Sequence, residues 1–173
     1  NGNGFIGPRD YAIVVLLLGT GLRAEGLLSL KVSQFESSEY RSHRRLRVTE
    51  KGDVERLVPV GRKAHMAVME YLAVRPKVPH DALWISLRRA PLAYSALAKM
   101  LENLGEYAGV PNVMAHRFRH TFASEHYRAN RDMMALKGAL GHHQIATTEQ
   151  YLRSLGVDFG LAAKHTSPDE WLA

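Results

Sequence analysis

Histidine and arginine side chains crowd one stretch of the sequence. Five of the nine histidines, His116, His120, His126, His142 and His143, lie between positions 116 and 143. On a helix, at about 100° per residue, His116, Arg119, His120 and Ala123 share one face. Phe118 and Phe122 then point to the opposite side and can supply a core contact. One helix would therefore present two imidazoles and a guanidinium together. The same spacing suits a solvated polar face, or a zinc ion on His116, His120 and His142. Zinc fits less well, because Arg119 places a fixed positive charge where a second cation would bind. The His-Glu-x-x-His pattern is absent too. Phosphoryl chemistry driven by ATP lacks its G-x-x-x-x-G-K-[ST] cradle. Two-metal phosphodiester cleavage needs clustered carboxylates, yet Asp10, Asp53, Asp81, Asp132, Asp158 and Asp169 are scattered. A phosphodiester handled by this chain would be handled by cations from its own side chains.

These groups need a scaffold, and the sequence outlines one. Pro8 and Asp10 open a helix whose apolar residues Tyr11, Val14, Val15 and Leu18 have the spacing of a buried face. Gly19-Thr20-Gly21 stops it, and 22–30 reads as a second short helix. Leu46 and Val48 alternate with Arg45, Arg47 and Thr49. Val54, Arg56, Val58 and Val60 continue the period of two after the turn at Gly52-Asp53, which predicts a β-hairpin. Residues 62–75 read as a helix with Met66, Met69, Leu72 and Ala73 inward, and 83–86 as a short strand. Four more helices are predicted at 94–109, 115–129, 132–140 and 144–153. The fold class is mainly α with a small antiparallel β-sheet, α+β in type.

The 173 residues are 46% hydrophobic and 23% charged, enough for one ordinary domain with a core. The absence of cysteine excludes disulfide scaffolds, thiol catalysis and cysteine zinc sites. A net charge of +6 favours a polyanionic partner. The longest apolar run, 12–18, is too short for a bilayer, so no membrane association is expected. The chain starts at Asn1 without a methionine and is read as a piece of a longer protein.

Taken together, several blocks resemble the catalytic domain of the tyrosine recombinases, or phage-type integrases. They are Thr20-Gly21-Leu22-Arg23 with Leu27-Leu28-Ser29-Leu30, then Lys51-Gly52 in the hairpin turn. His116-Arg117-Phe118-Arg119-His120-Thr121-Phe122-Ala123 follows, and Leu140-Gly141-His142 leads through Thr147-Thr148 to Tyr151. The blocks stand in the family's order and span roughly 5–155.

The resemblance implies a metal-independent reaction on double-stranded DNA bearing a specific recombination site. Tyr151 would attack a phosphodiester, forming a 3′-phosphotyrosyl bond and freeing a 5′-hydroxyl. Arg23 and Arg119 would grip the non-bridging oxygens. Lys51 would protonate the leaving oxygen, and His142 would donate to the phosphate. His116 would serve as general acid–base toward a phenol that ordinarily titrates near about pH 10. Arg41, Arg44, Arg45 and Arg47, before and within the hairpin, suit phosphate contacts. No cofactor is implied. The expected setting is a bacterial or phage cytoplasm, with a homotetramer on DNA and a monomer when free.

Residues 1–173 would form a single catalytic domain, lacking the helical N-terminal domain that clamps the far side of the DNA. A second departure is Gly26, where the family commonly has an acid three positions after the first arginine. Glu25 lies one residue earlier, a rotation of about 100°, so it does not simply substitute. Restoring an acid at 26 would raise cleavage if missing support for the arginine and lysine is what limits the site, and would leave it unchanged if the departure is harmless. Two related readings are a DNA-binding module of this fold that has lost cleavage, and a type IB topoisomerase-like enzyme.

Overall fold

The computed structural model describes residues 4–50, 54–141, 144–154 and 156. They form two units, 1–122 and 123–173, taken separately below.

The first unit is built on α1 (Ile6–Thr20) and α5 (Arg62–Val74), which pack side by side. Gly19 permits the approach: a Cβ there would stand 3.8 Å from that of Ala64. The buried face of α1 is Ala12, Ile13, Leu16 and Leu17, whereas Tyr11 and Leu18 are 50% and 42% exposed. This corrects the expected face. α1 is apolar around most of its circumference, so periodicity leaves its rotation open, and close contact with α5 selects the side. Likewise α5 turns Ala64, Ala67, Val68 and Tyr71 inward and leaves Met66 half exposed and Ala73 exposed. Small residues win the contact face because they bring the two backbones together, and each buried Leu or Ile beneath them contributes about 1.5–3 kcal/mol.

Short helices α2 (Ala24–Leu28), α3 (Val32–Glu36) and α4 (Ser38–His43) lead into β1 (Arg45–Glu50) and β2 (Val54–Pro59). The sequence reading missed α3 and α4, each too short to show a period. The strands pair antiparallel, with Leu46 opposite Val58 and Val48 opposite Arg56. Leu46, Val48 and Val58 enter the core, while Arg45, Arg47 and Thr49 face outward. Residues 83–86 do not form the expected strand. Ile85 makes an isolated bridge to Pro91, next to one between Ala82 and Lys31, while Leu83, Trp84 and Ile85 bury their side chains. Trp84 stacks on Tyr71 at 5.4 Å and donates to the Leu27 carbonyl at 2.9 Å. That bond ties α2, which carries the residues after Arg23, to the core. α6 (Tyr94–Ala108) follows, ended by Gly109 in the left-handed conformation.

α7 (Ala115–Asn130) runs past the end of the first unit. In the second unit, α8 (Met133–Leu140) packs on α9 (Ile145–Ser154). Asp132 caps α8 by accepting from the amides of Met134 and Ala135 at 2.8 and 2.9 Å. Leu136, Leu140, Thr148 and Leu152 are its buried residues along these two helices. Among the described residues, no helix is long and apolar enough to cross a membrane.

Candidate active-site cleft

The end of α1 makes the site possible. Gly21 adopts φ 61°, and its amide donates to Leu17 O at 3.0 Å, closing the helix. The Phe122 ring lies against it: an added Cβ would be 2.9 Å from Phe122 Cγ. Glycine is therefore required here for both its backbone and its bareness. The Gly21 carbonyl, left outside the helix, accepts from Arg119 Nη1 at 2.7 Å. Two residues on, Arg23 is the extended N-cap of α2, exposed at the mouth of a cleft of about 210 Å³.

That cleft is lined by Arg23, Ala24, Glu25, Tyr94, His116 and Arg119, with Leu22 and Ala115. Three of the six expected catalytic residues thus meet in the first unit. Arg119 is only 2% exposed, and His116 is exposed. The solvated-face reading therefore fails for Arg119 and holds for His116. Phe118 packs against the core and Phe122 on Gly21, as their position opposite Arg119 suggested. Yet Arg119 and Ala123 are themselves the more buried residues, so α7 is enclosed on the arginine side as well.

A guanidinium held in place and shielded from water is suited to charge that grows on a bound oxyanion. His120 sits against His116, ring centroids 4.3 Å apart and edge to face. Burial first, then the charges of His116, Arg117 and Arg119, holds the His120 pKa below its ordinary value. Its folded-state proton is lost at lower pH than in the unfolded chain, so the unfolded state binds more protons as pH falls through about 6.5. Stability is expected to drop on acidification from pH 7 toward 5. His120→Gln should flatten that drop, read from melting temperatures across the range.

Tyr151 stands on α9 of the second unit, half-buried beside buried Leu152 and one turn from buried Thr148. Gly141 caps α8 in the left-handed conformation, immediately before His142. His142 and Lys51 lie outside the described residues, so of the zinc set only His116 and His120 are described. Among the described residues no group of three metal-ligating side chains comes together.

The four outer arginines differ in their engagement. Arg41 donates to the Glu36 carbonyl at 2.9 Å, and Arg47 pairs with Glu55 at 3.2 Å and Glu39 at 3.4 Å. Arg44 and Arg45 are exposed. The exposed ion pairs of Arg47 are worth about 0–1 kcal/mol, so phosphate can displace them.

The position three residues after Arg23 lies inside the packing. Gly26 is buried, and a Cβ there would meet Val48 Cγ1 at 3.2 Å and Leu22 Cδ2 at 3.6 Å. Glu25, set aside from its spacing, lines the cleft instead. Any side chain at 26 would start between these two apolar groups, and Val48 would have to give by a few tenths of an ångström to admit its Cβ. Gly26→Glu is therefore expected to lower the melting temperature and not to speed any reaction, despite its better helix propensity. Thermal unfolding of the two proteins checks this. Tyr94, read only as a helix start, is the other cleft residue that spacing did not disclose.

The cleft therefore gathers two arginines and a histidine on a mainly helical domain with one hairpin. The family model described as "Phage integrase family" matches residues 4–156, and the chain belongs to that family. It is 35% identical over 159 residues to "Tyrosine recombinase XerC" of Shewanella amazonensis (strain ATCC BAA-1098 / SB2B), covering 90% of this chain and 51% of that protein. It is also 35% identical over 149 residues to the XerC of Chromohalobacter salexigens, covering 84% and 48%. The chain thus spans about half the length of these curated relatives. The crystal structure of XerA recombinase superposes with a TM-score of 0.74 at 31% identity, over 91% of this chain and 55% of that one. A XerH site-specific recombinase bound to palindromic difH substrate, a post-cleavage complex, also gives 0.74, at 25% identity over 87% and 43%. The fold is that of a tyrosine recombinase catalytic domain.

Proposed function

We propose that residues 1–173 act as the catalytic domain of a site-specific DNA recombinase, cutting and rejoining duplex DNA through Tyr151. The observation that carries this reading is the meeting of Arg23, His116 and Arg119 on one cleft, with Arg119 buried and aimed by the Gly21 carbonyl. Arg23 and Arg119 hold the non-bridging oxygens of the scissile phosphate. The Tyr151 oxygen attacks phosphorus, His116 takes the phenolic proton, and the bond to the 5′-oxygen breaks. Lys51 protonates that oxygen, and His142 donates a further hydrogen bond to the phosphate. The phosphotyrosyl bond conserves the energy of the broken phosphodiester, so the reverse attack by a 5′-hydroxyl reseals a strand without ATP. Arg44 and Arg45 contact the backbone nearby, and four protomers assemble on two duplexes for exchange.

The test is incubation with nicked suicide duplexes in excess EDTA, followed by denaturing gels. Covalent protein–DNA adducts are expected. Retained binding with no adduct would favour a DNA-binding module, and adducts that vanish on chelation and return with a metal would favour metal chemistry.

A further inference from the structure

We propose that Tyr94 is a DNA contact of this cleft, its hydroxyl donating to a phosphate next to the one held by the arginines; this rests on the DNA reading above. Tyr94 opens α6, is 64% exposed, and lines the same cleft as Arg23, His116 and Arg119. A phosphate seated on those three groups has neighbours along its strand, and Tyr94 is an exposed polar side chain on the same cleft that can reach one of them. Arg23 and Arg119 serve the reacting phosphate, so the rim needs a donor that does not compete for it. A neutral phenol meets that need: it donates one hydrogen bond and offers an apolar ring to the deoxyribose. Tyrosine is among the side chains that make such backbone contacts, which set register without reading sequence. The 15-residue helix behind it, anchored through buried Leu97 and Leu101, holds the ring's backbone in place.

Binding is measured in the Tyr151→Phe chain, where no bond can be cut, with a duplex selected by that protein from a randomised pool. Tyr94→Phe should weaken binding about fivefold and Tyr94→Ala about tenfold or more. Single methylphosphonates, which neutralise one phosphate at a time, are then placed along each strand. One position should cost affinity in the parent and little in Tyr94→Phe, because the two changes remove the same bond. Tyr94→Phe should also leave the salt dependence unchanged, whereas Arg23→Ala should flatten its slope by about 0.9. Unchanged affinity in Tyr94→Phe, or a methylphosphonate profile identical to the parent's, would overturn the inference. Coupling at one phosphate without adducts from the wild-type chain strikes only the cleavage reading. Adducts without coupling strike only the role of Tyr94, and a parent that binds no duplex overturns both.

Discussion

Tyr151→Phe is expected to abolish the covalent protein–DNA adduct while leaving fold and DNA affinity nearly intact. The substitution removes one oxygen and keeps the ring. The ring is half-buried on α9, next to fully buried Leu152, so α8 and α9 should pack as before. Without the hydroxyl there is no atom to form the phosphotyrosyl bond, and the loss should be complete rather than partial. The measurement is adduct yield on a suicide duplex beside a melting curve and a binding isotherm. A second phenol makes the test sharper: Tyr94 lies within the arginine cleft itself. An adduct that persists in Tyr151→Phe, or that peptide mapping places on Tyr94 or Tyr127, would show that the nucleophile is assigned wrongly.

Arg119→Ala should slow cleavage about 10²–10³-fold, the loss typical of one donor that acts on transition-state charge. Affinity should fall far less, since Arg23, Arg44 and Arg45 remain exposed to hold the backbone. Burial adds a second effect. Arg119 supplies the hydrogen bond to the Gly21 carbonyl, and losing a buried partner costs about 1–3 kcal/mol of stability. Cleavage must therefore be compared well below the melting temperature of the variant. Arg119→Lys separates the two causes further: it keeps the charge but loses the planar fork, so it should bind DNA nearly as well and still cut slowly. Equal losses of binding and cleavage in Arg119→Ala would mean the guanidinium serves the ground state alone.

Local signals account for what the sequence by itself determined. Helix ends were legible because their causes sit within a turn: Gly21, Gly109 and Gly141 take left-handed backbones, and Asp132 caps its own neighbours. The hairpin was legible because a period of two leaves one register that buries Leu46, Val48 and Val58 together. Charge and composition pointed to a polyanion, and four blocks in order marked the family. Tertiary structure alone decided the rest, because each remaining choice depends on a partner far away in the chain. Which face of α1 and of α5 turns inward follows from their contact with each other, not from either pattern. That Arg119 is buried depends on a carbonyl 98 residues earlier. Glu25 lines the cleft and Gly26 does not because Val48 of β1 occupies the space over position 26. Tyr94 joins the arginines only because α6 begins where α2 and α7 meet the same cleft, a convergence no spacing within its own helix could encode.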